Sequence, residues 1–262
     1  MNTPAEHLNR MRDRTPLVQN ITNYVAMNVM ANIMLAAGAS PAMVHASEEG
    51  PEFAAIASAV SINIGTIDAD WAEAMAATAE GAQKAGTPWV LDPVAVGATA
   101  FRQEQGARLL GFKPTVIRGN ASEILALGGT AAAGRGADAA DPVAAAEAVA
   151  RDLAKRTGAV VAVTGEVDYV TDGERAARVS NGHSLMPLVT ALGCSLTGYV
   201  AAFIVDEDPF DATVAALACF AVAGEIAADG ATGPGSFQVR FIDALHSLTA
   251  DVVAERARVS AA

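Results

Sequence analysis

The residues best placed to do chemistry lie in TALGCSLTG (190–198), where small residues run into an apolar helical stretch that starts near Cys194. The free N–H groups and positive dipole end of such a helix form a cradle for developing negative charge. Cys194 stands in the first turn, and a helix start lowers a thiol pKa towards thiolate. A cysteine is more often a small packed hydrophobe. Cys219, inside AALACFAVAG, fits that description; Cys194, at a helix start between glycines, fits it less well.

A second group is charged. Asp92 closes the run PWVLD, and Arg118 and Glu123 flank Asn120 in IRGNASEI. Magnesium takes oxygen ligands, keeps several waters and bridges nucleotide phosphates, so two carboxylates at neighbouring strand ends could hold it. The plainer alternative is that Asp92 and Asn120 only cap turns and helices. Arg118 has a planar fork suited to phosphate oxygens, or it forms a rim ion pair with Glu123 or another acid. Thr164 and Gly165 offer a hydroxyl and a close-approach glycine. Gly233–Pro–Gly–Ser236 is either a nucleotide-covering loop or a turn capped by Ser236. The four histidines show no metal spacing; His45 lies near the expected mouth, and none is assigned to catalysis.

These residues fall where strands should end. The periodicity predicts strands at 40–44, 60–64, 88–91, 115–117 and 159–163, and a hairpin of 167–170 with 175–179. Helices are expected at 23–37 (ending on Gly38), 51–59, 68–85 (capped by Asp68), 101–110, and 120–128 (opened by Asn120). Residues 134–140 read as a turn, with Asp141 as cap and Pro142 as first residue of the next helix. The last helices are expected at 194–205, 210–228 and 236–254. Repeated βα units with Val/Ile-rich strands imply a mainly parallel sheet covered on both faces, in one domain. In such sheets ligands bind beyond the carboxyl ends of the strands.

The chain has 262 residues, 52% of them hydrophobic, and a net charge of −12 without a Lys/Arg-rich run. That argues against nucleic acid or an anionic membrane surface as partner. Two cysteines outside any CxxC pattern argue against a disulfide scaffold or structural zinc. Residues 1–15 lack an apolar signal region, and no long uninterrupted apolar stretch suggests a span, so a cytoplasmic protein is expected. There is no GxxxxGK[ST], no GxGxxG after a first strand, and no GxSxG. The residues therefore lead to an α/β enzyme with an anion-binding helix start, and no further.

A resemblance goes further. QNITNYVAMNVMAN (19–32), SPAMVHASEE (40–49), VLDPVAVGAT (90–99), IRGNASEI (117–124), VAVTGEVDYVTDG (161–173), Gly193–Cys194 and GPGSFQVRFIDAL (233–245) resemble the hydroxyethylthiazole kinases, in that family's order and across nearly the whole chain. The resemblance implies a ribokinase-like three-layer sandwich and transfer of the ATP γ-phosphoryl to 4-methyl-5-(2-hydroxyethyl)thiazole in thiamine salvage. It also implies Mg²⁺ and a homotrimer with substrate sites at subunit interfaces. Carried over by position, Asn23, Met43 (through its amide), Ala191 and Gly193 would bind the thiazole alcohol. Arg118 and Thr164 would contact ATP, and Asp92 and Glu123 would organise the metal. Cys194 would stand where most relatives of the wider fold carry a catalytic Asp. Ala191 departs from the glycine common in that loop; if its φ is positive, alanine costs about 1 kcal/mol there. The alternatives are a kinase of hydroxymethylpyrimidine or pyridoxal, an ATP- or ADP-dependent dehydratase of hydrated nicotinamide nucleotides, or a non-catalytic binding protein.

Overall fold

The protein's computed structural model describes residues 3–129 and 142–262; the turn expected at 134–140 and the cap expected of Asp141 lie outside them. Nine strands make one sheet: β1 (Leu17–Ile21), β2 (Ser40–Ala42), β3 (Ala59–Asn63), β4 (Trp89–Asp92), β5 (Val116–Asn120), β6 (Val160–Thr164), β7 (Asp168–Thr171), β8 (Ala176–Val179) and β9 (Val259–Ala261). Their order is β2-β1-β3-β4-β5-β6-β7-β8-β9. The first six pair in parallel and the rest antiparallel.

The helices are α1 (Pro4–Arg14), α2 (Met27–Ala37), α3 (Gly50–Ile56), α4 (Ala69–Ala85), α5 (Ala100–Leu110), α6 (Ala121–Gly128), α7 (Pro142–Thr157), α8 (Leu192–Phe203), α9 (Pro209–Ala228), α10 (Pro234–Ser247) and α11 (Ala250–Arg256). Strand residues alternate between the two faces. Ala59, Val90, Val116 and Val160 join a core with α1, α2 and α8 to α11. Val60, Ile62 and Leu91 pack with α4 and α5, while Ile117, Val161 and Val163 pack with α6 and α7. Helices on both faces explain why the parallel strands read as nearly pure hydrocarbon. The architecture is the three-layer ribokinase-like sandwich. Among the described residues, α9 alone is long and apolar enough to cross a bilayer, and 83% of its apolar window is buried. It is a core helix.

Four elements differ from the sequence reading, the first being helix α1, which was not expected. The long helix expected at 236–254 is two, broken at Leu248, with Thr249 capping α11 by accepting from Val252 N. The C-terminal strand β9 was not expected. Neither was β1, because Gln19 and Asn20 interrupt its apolar run, yet both are fully buried. The omission matters for function. The chain leaves β1 for β2 on one side and returns to β3 on the other, so the strand order reverses at β1. A crevice opens beyond the carboxyl ends at such a switch point.

Candidate active site

Helix α8 lies across β1, β3 and β4. Beneath it runs a layer of buried polar side chains: Asn20, Ser61, Asn63, Asp92 and Thr197. Gly198 lets the helix settle this low, since a Cβ there would stand 2.8 Å from Asn20 Oδ1 and 2.4 Å from the Met30 methyl. Buried polar groups cost free energy unless hydrogen-bonded, and these bond in two separate groups. Ser61 Oγ donates to Asn20 Oδ1 at 2.7 Å. Asn63 Nδ2 and Thr197 Oγ1 each donate to Asp92 Oδ2 at 2.7 Å.

Arg118, projecting from β5, joins three other parts of the crevice. Its Nη1 approaches Asp92 Oδ2 at 3.4 Å and donates to the Gly193 carbonyl at 2.9 Å; its Nη2 donates to Thr164 Oγ1 at 2.9 Å. The side chain is only 11% exposed, and its acidic partner is Asp92, so the ion pair with another acid is present but buried and not at the rim. Burial pushes the Asp92 carboxyl up to about 6; Arg118 opposes the rise, the charge of Glu123 adds to it, and the bonds from Thr197 and Asn63 oppose it.

Glu123 faces the same region from α6. It closes a capping box in which Asn120 Oδ1 accepts from Glu123 N at 3.0 Å and Glu123 Oε2 accepts from Asn120 N at 2.9 Å. Its other oxygen accepts from Ala95 N at 3.0 Å. Asn120 is therefore a cap, as the plainer reading had it. No group of three or more His, Cys, Asp or Glu is gathered as a metal cage among the described residues. The donors on Asp92 all converge on Oδ2, and Oδ1 accepts none among the described residues. One free carboxylate oxygen beside a second acid suits Mg²⁺, which takes few protein ligands and leaves most positions to water and phosphate.

The start of α8 is left open. Ala191 precedes it at φ +67° and ψ −3°, with no side-chain cap bond. The first intrahelical bond of that turn is Ser195 N to Ala191 O, so the amides of Leu192, Gly193 and Cys194 have no acceptor within the helix. Two more of the positive-φ non-glycine residues, Thr66 and Ala95, follow β3 and β4. Backbone held this way collects at functional sites. Arg102 braces these loops, donating to the Ile64 and Val94 carbonyls at 2.6 and 2.9 Å.

Cys194 is half-buried, and Asn23 Nδ2 donates to its sulfur at 3.2 Å. Here the expectation of a thiolate fails. Burial and then the charge of Asp92 push the thiol above its ordinary value, against Asn23, Asn63 and Arg118. Desolvation outweighs the helix end. Asn23 also donates to Asn63 Oδ1 at 2.9 Å and accepts from Ala26 N at 3.0 Å. Its carboxamide lies on Gly65, where a Cβ would come within 2.8 Å of Asn23 Nδ2. Cys219 is buried with its thiol pushed up to about 12, a packed residue as expected.

The structure thus gathers Asn23, Asp92, Arg118, Glu123, Thr164, Gly193 and Cys194 in one crevice, with Ala191 at its rim. Met43 stands apart, past the end of β2 beyond β1, and no side-chain hydrogen bond ties it to the cluster among the described residues. On that side a cleft of about 670 Å³ is lined by Tyr24, His45, Trp71 and several acids. Burial pushes the His45 imidazole below its ordinary pKa, and the ring packs edge-on to Trp71. Ser236 turns back on its own loop, accepting from Thr232 N and donating to the Gly233 carbonyl, so it serves as a turn residue.

Sequence reasoning overlooked Asn63, Thr197 and Asp168. Ser61 and Asn63 alternate on one face of an otherwise apolar strand, a legible sign of a buried polar layer. Asp168 gave no such sign. It accepts from Gly165 N at 3.0 Å, and burial pushes its carboxyl up to about 6, with that bond and Arg118 opposing.

Comparison with known proteins fits this geometry. The model of the hydroxyethylthiazole kinase family matches residues 8–251. A hydroxyethylthiazole kinase of Cereibacter sphaeroides is 66% identical over 256 residues, covering 98% of each chain. The structure of a hydroxyethylthiazole kinase from Pyrococcus horikoshii superposes with a TM-score of 0.92 at 42% identity, covering 99% of this chain and 98% of that one. The pyridoxal kinase of Staphylococcus aureus, with a TM-score of 0.58 at 16% identity over 80% of this chain and 88% of its own, shares the fold alone. On the strength of the match along nearly its whole length, this chain belongs to the hydroxyethylthiazole kinase family.

Proposed function

We propose that this chain transfers the γ-phosphoryl group of ATP to the hydroxyl of 4-methyl-5-(2-hydroxyethyl)thiazole, giving the thiazole phosphate and ADP, as a cytoplasmic single-domain enzyme of thiamine salvage. The observation that carries the reading, beside family membership, is the uncapped start of α8 facing Asn23 and Cys194 and joined through Arg118 to Asp92.

In this reading the acceptor lies against Asn23 and the amides of Met43, Ala191 and Gly193, with its hydroxyl towards Cys194. Arg118 and Thr164 hold the nucleotide phosphates; the guanidinium already touches Thr164 and can turn its fork to two oxygens. Asp92, through Oδ1, and Glu123 would hold Mg²⁺, which when bound neutralises charge on the phosphate oxygens. The first-turn amides of α8 stabilise the charge that spreads over the transferred group.

A protonated thiol is a weak base near neutral pH, so Cys194 orients the acceptor hydroxyl more than it deprotonates it. Phosphoryl transfer tolerates this, because its loose transition state depends chiefly on positioning and charge stabilisation. The acceptor's proton leaves late in the step, to an oxygen of the transferred phosphoryl group and from there to solvent. A homotrimer with sites at subunit interfaces fits the same reading: Tyr24 and Val25, next to Asn23, are 63% and 56% exposed, an apolar surface that a neighbouring subunit would cover.

The test incubates purified protein with Mg·ATP and the hydroxyethylthiazole, hydroxymethylpyrimidine, pyridoxal or no acceptor, reading ADP by coupled assay and product by mass. Thiazole-dependent ADP release with the phosphorylated thiazole is expected. Turnover of another alcohol with silence on the thiazole would keep the fold and mechanism and overturn the substrate. Silence with every acceptor would point to the dehydratase or to a binding protein.

A further inference from the structure

We propose that Asn63 is a positioning residue that locks the acceptor half of the crevice to the Asp92 carboxylate, through opposite ends of one carboxamide. The inference rests on the reading of Asp92 as the metal-side acid.

Asn63 ends β3 and is fully buried. Its Oδ1 accepts from Gly65 N at 2.9 Å and from Asn23 Nδ2 at 2.9 Å, while its Nδ2 donates to Asp92 Oδ2 at 2.7 Å. The orientation is forced. A backbone N–H can only donate, so the end of Asn63 facing Gly65 must be the oxygen, and the amide nitrogen must face the carboxylate. Asn23 is fixed likewise: its oxygen takes the N–H of Ala26, leaving its nitrogen for Asn63 and the Cys194 sulfur. The bonds therefore run in one direction, from Gly65 N–H and Asn23 through Asn63 to Asp92, and a flipped amide would break them.

Two consequences follow from this wiring. With Asn63 and Thr197 both holding Oδ2, rotation of the carboxylate would break two bonds, and Oδ1 is left for a further partner. Movement of Asn23 against an acceptor is also felt at Asp92 through a single side chain. A buried asparagine that merely closed the turn at Gly65 would do neither.

Ser61 supplies the control. It lies two residues earlier on the same face of β3, is equally buried, and donates to Asn20 rather than to the site. Asn63→Leu keeps the approximate bulk and cuts every polar contact. Its kcat on the thiazole alcohol should fall roughly tenfold or more, as for partners that orient a metal-side ligand. The acceptor KM should rise while the KM for ATP changes less than about twofold. Binding of Mn²⁺ in the presence of ADP, followed by electron paramagnetic resonance without acceptor, should weaken by roughly tenfold or more. Ser61→Ala should lower the melting temperature and leave these readouts in place.

If Asn63→Leu loses only stability and keeps kcat and Mn²⁺ affinity at the Ser61→Ala level, the proposal is wrong. Should the leucine variant not fold, Asn63→Ala carries the same readouts. Wild-type turnover is measured alongside, so a wrong acceptor shows there. The Mn²⁺ comparison needs no acceptor and decides the role of Asn63 by itself.

Discussion

Helices α6 and α8 both begin at the carboxyl edge of the sheet, on either side of Arg118, and they begin in opposite ways. The start of α6 is closed: Asn120 and Glu123 satisfy each other's amides in a capping box, and the remaining Glu123 oxygen holds the loop at Ala95. The start of α8 is open, with a left-handed alanine in place of a cap. A lost cap costs about 1 kcal/mol, and a non-glycine residue in the left-handed region adds a similar amount. Among the described residues α1, α4, α5, α9 and α11 also carry side-chain caps, whereas α2, α3 and α10 do not. One helix end of the crevice builds a fixed wall, and the other keeps its donors for a ligand.

The sharpest way to break the contrast is to close α8 with charge. Ala191→Asp suits a left-handed backbone and puts a carboxylate where the transferred group should pass. Its kcat should fall about a hundredfold or more, on the scale of losing anion-hole donors, while the melting temperature holds. Activity within a few-fold of wild type would mean that the open end does not meet the anion.

Removing Arg118, which ties the open end of α8 to Asp92 and Thr164, should cost less. Arg118→Ala is expected to raise the KM for ATP roughly tenfold, the loss of one charge-assisted contact, and the KM for the thiazole alcohol much less. Steady-state kinetics with each substrate varied in turn decide this, and equal effects on both would remove Arg118 from the nucleotide.

Asp168 tests the charge balance around Arg118 by pH. Its folded value of about 6 lies above the ordinary 3.8, so between those values the folded chain holds a proton that the unfolded chain has lost. Stability falls on its account as pH rises from about 4 to 6 and is level above that, a loss of at most about 3 kcal/mol. Asp168→Asn keeps an acceptor for Gly165 N and removes the titration. Its melting temperature should match wild type near pH 4 and exceed it at pH 7; a constant difference across that range would show that Asp168 is not held protonated.

The smallest effect is expected from Ala191→Gly, which relieves the backbone at φ +67°. Chemical denaturation should show a gain of up to about 1 kcal/mol, reduced by the greater freedom of glycine in the unfolded chain. A loss of stability would count against a left-handed residue 191.

Much of this contrast was legible before any coordinates. Asn120 with Glu123 three residues on, and Asp68 before an apolar-periodic run, are local signals, because a cap is decided by residues within one turn. Cys194 and its glycine neighbours likewise marked an unusual helix start, and the family motifs put Asp92, Arg118 and Thr164 in one site. The protonation of Cys194 was not legible. A helix end raises the expectation of a thiolate, but the burial and the neighbouring Asp92 that reverse it come from distant strands.

The sequence by itself determined the alternating βα order, most helix starts, the hydrocarbon faces of the strands and the family, because each depends on short-range pattern or on motifs read in order. Only the tertiary structure decided that β1 lies inside the sheet and that Asn23, Asn63 and Asp92 form one directed chain of bonds. It also decided that a buried carboxylate and a half-buried thiol share one crevice. Those facts depend on which strands become neighbours and on how deep α8 settles over them, and such contacts join residues more than a hundred positions apart, as Thr197 and Asp92 are.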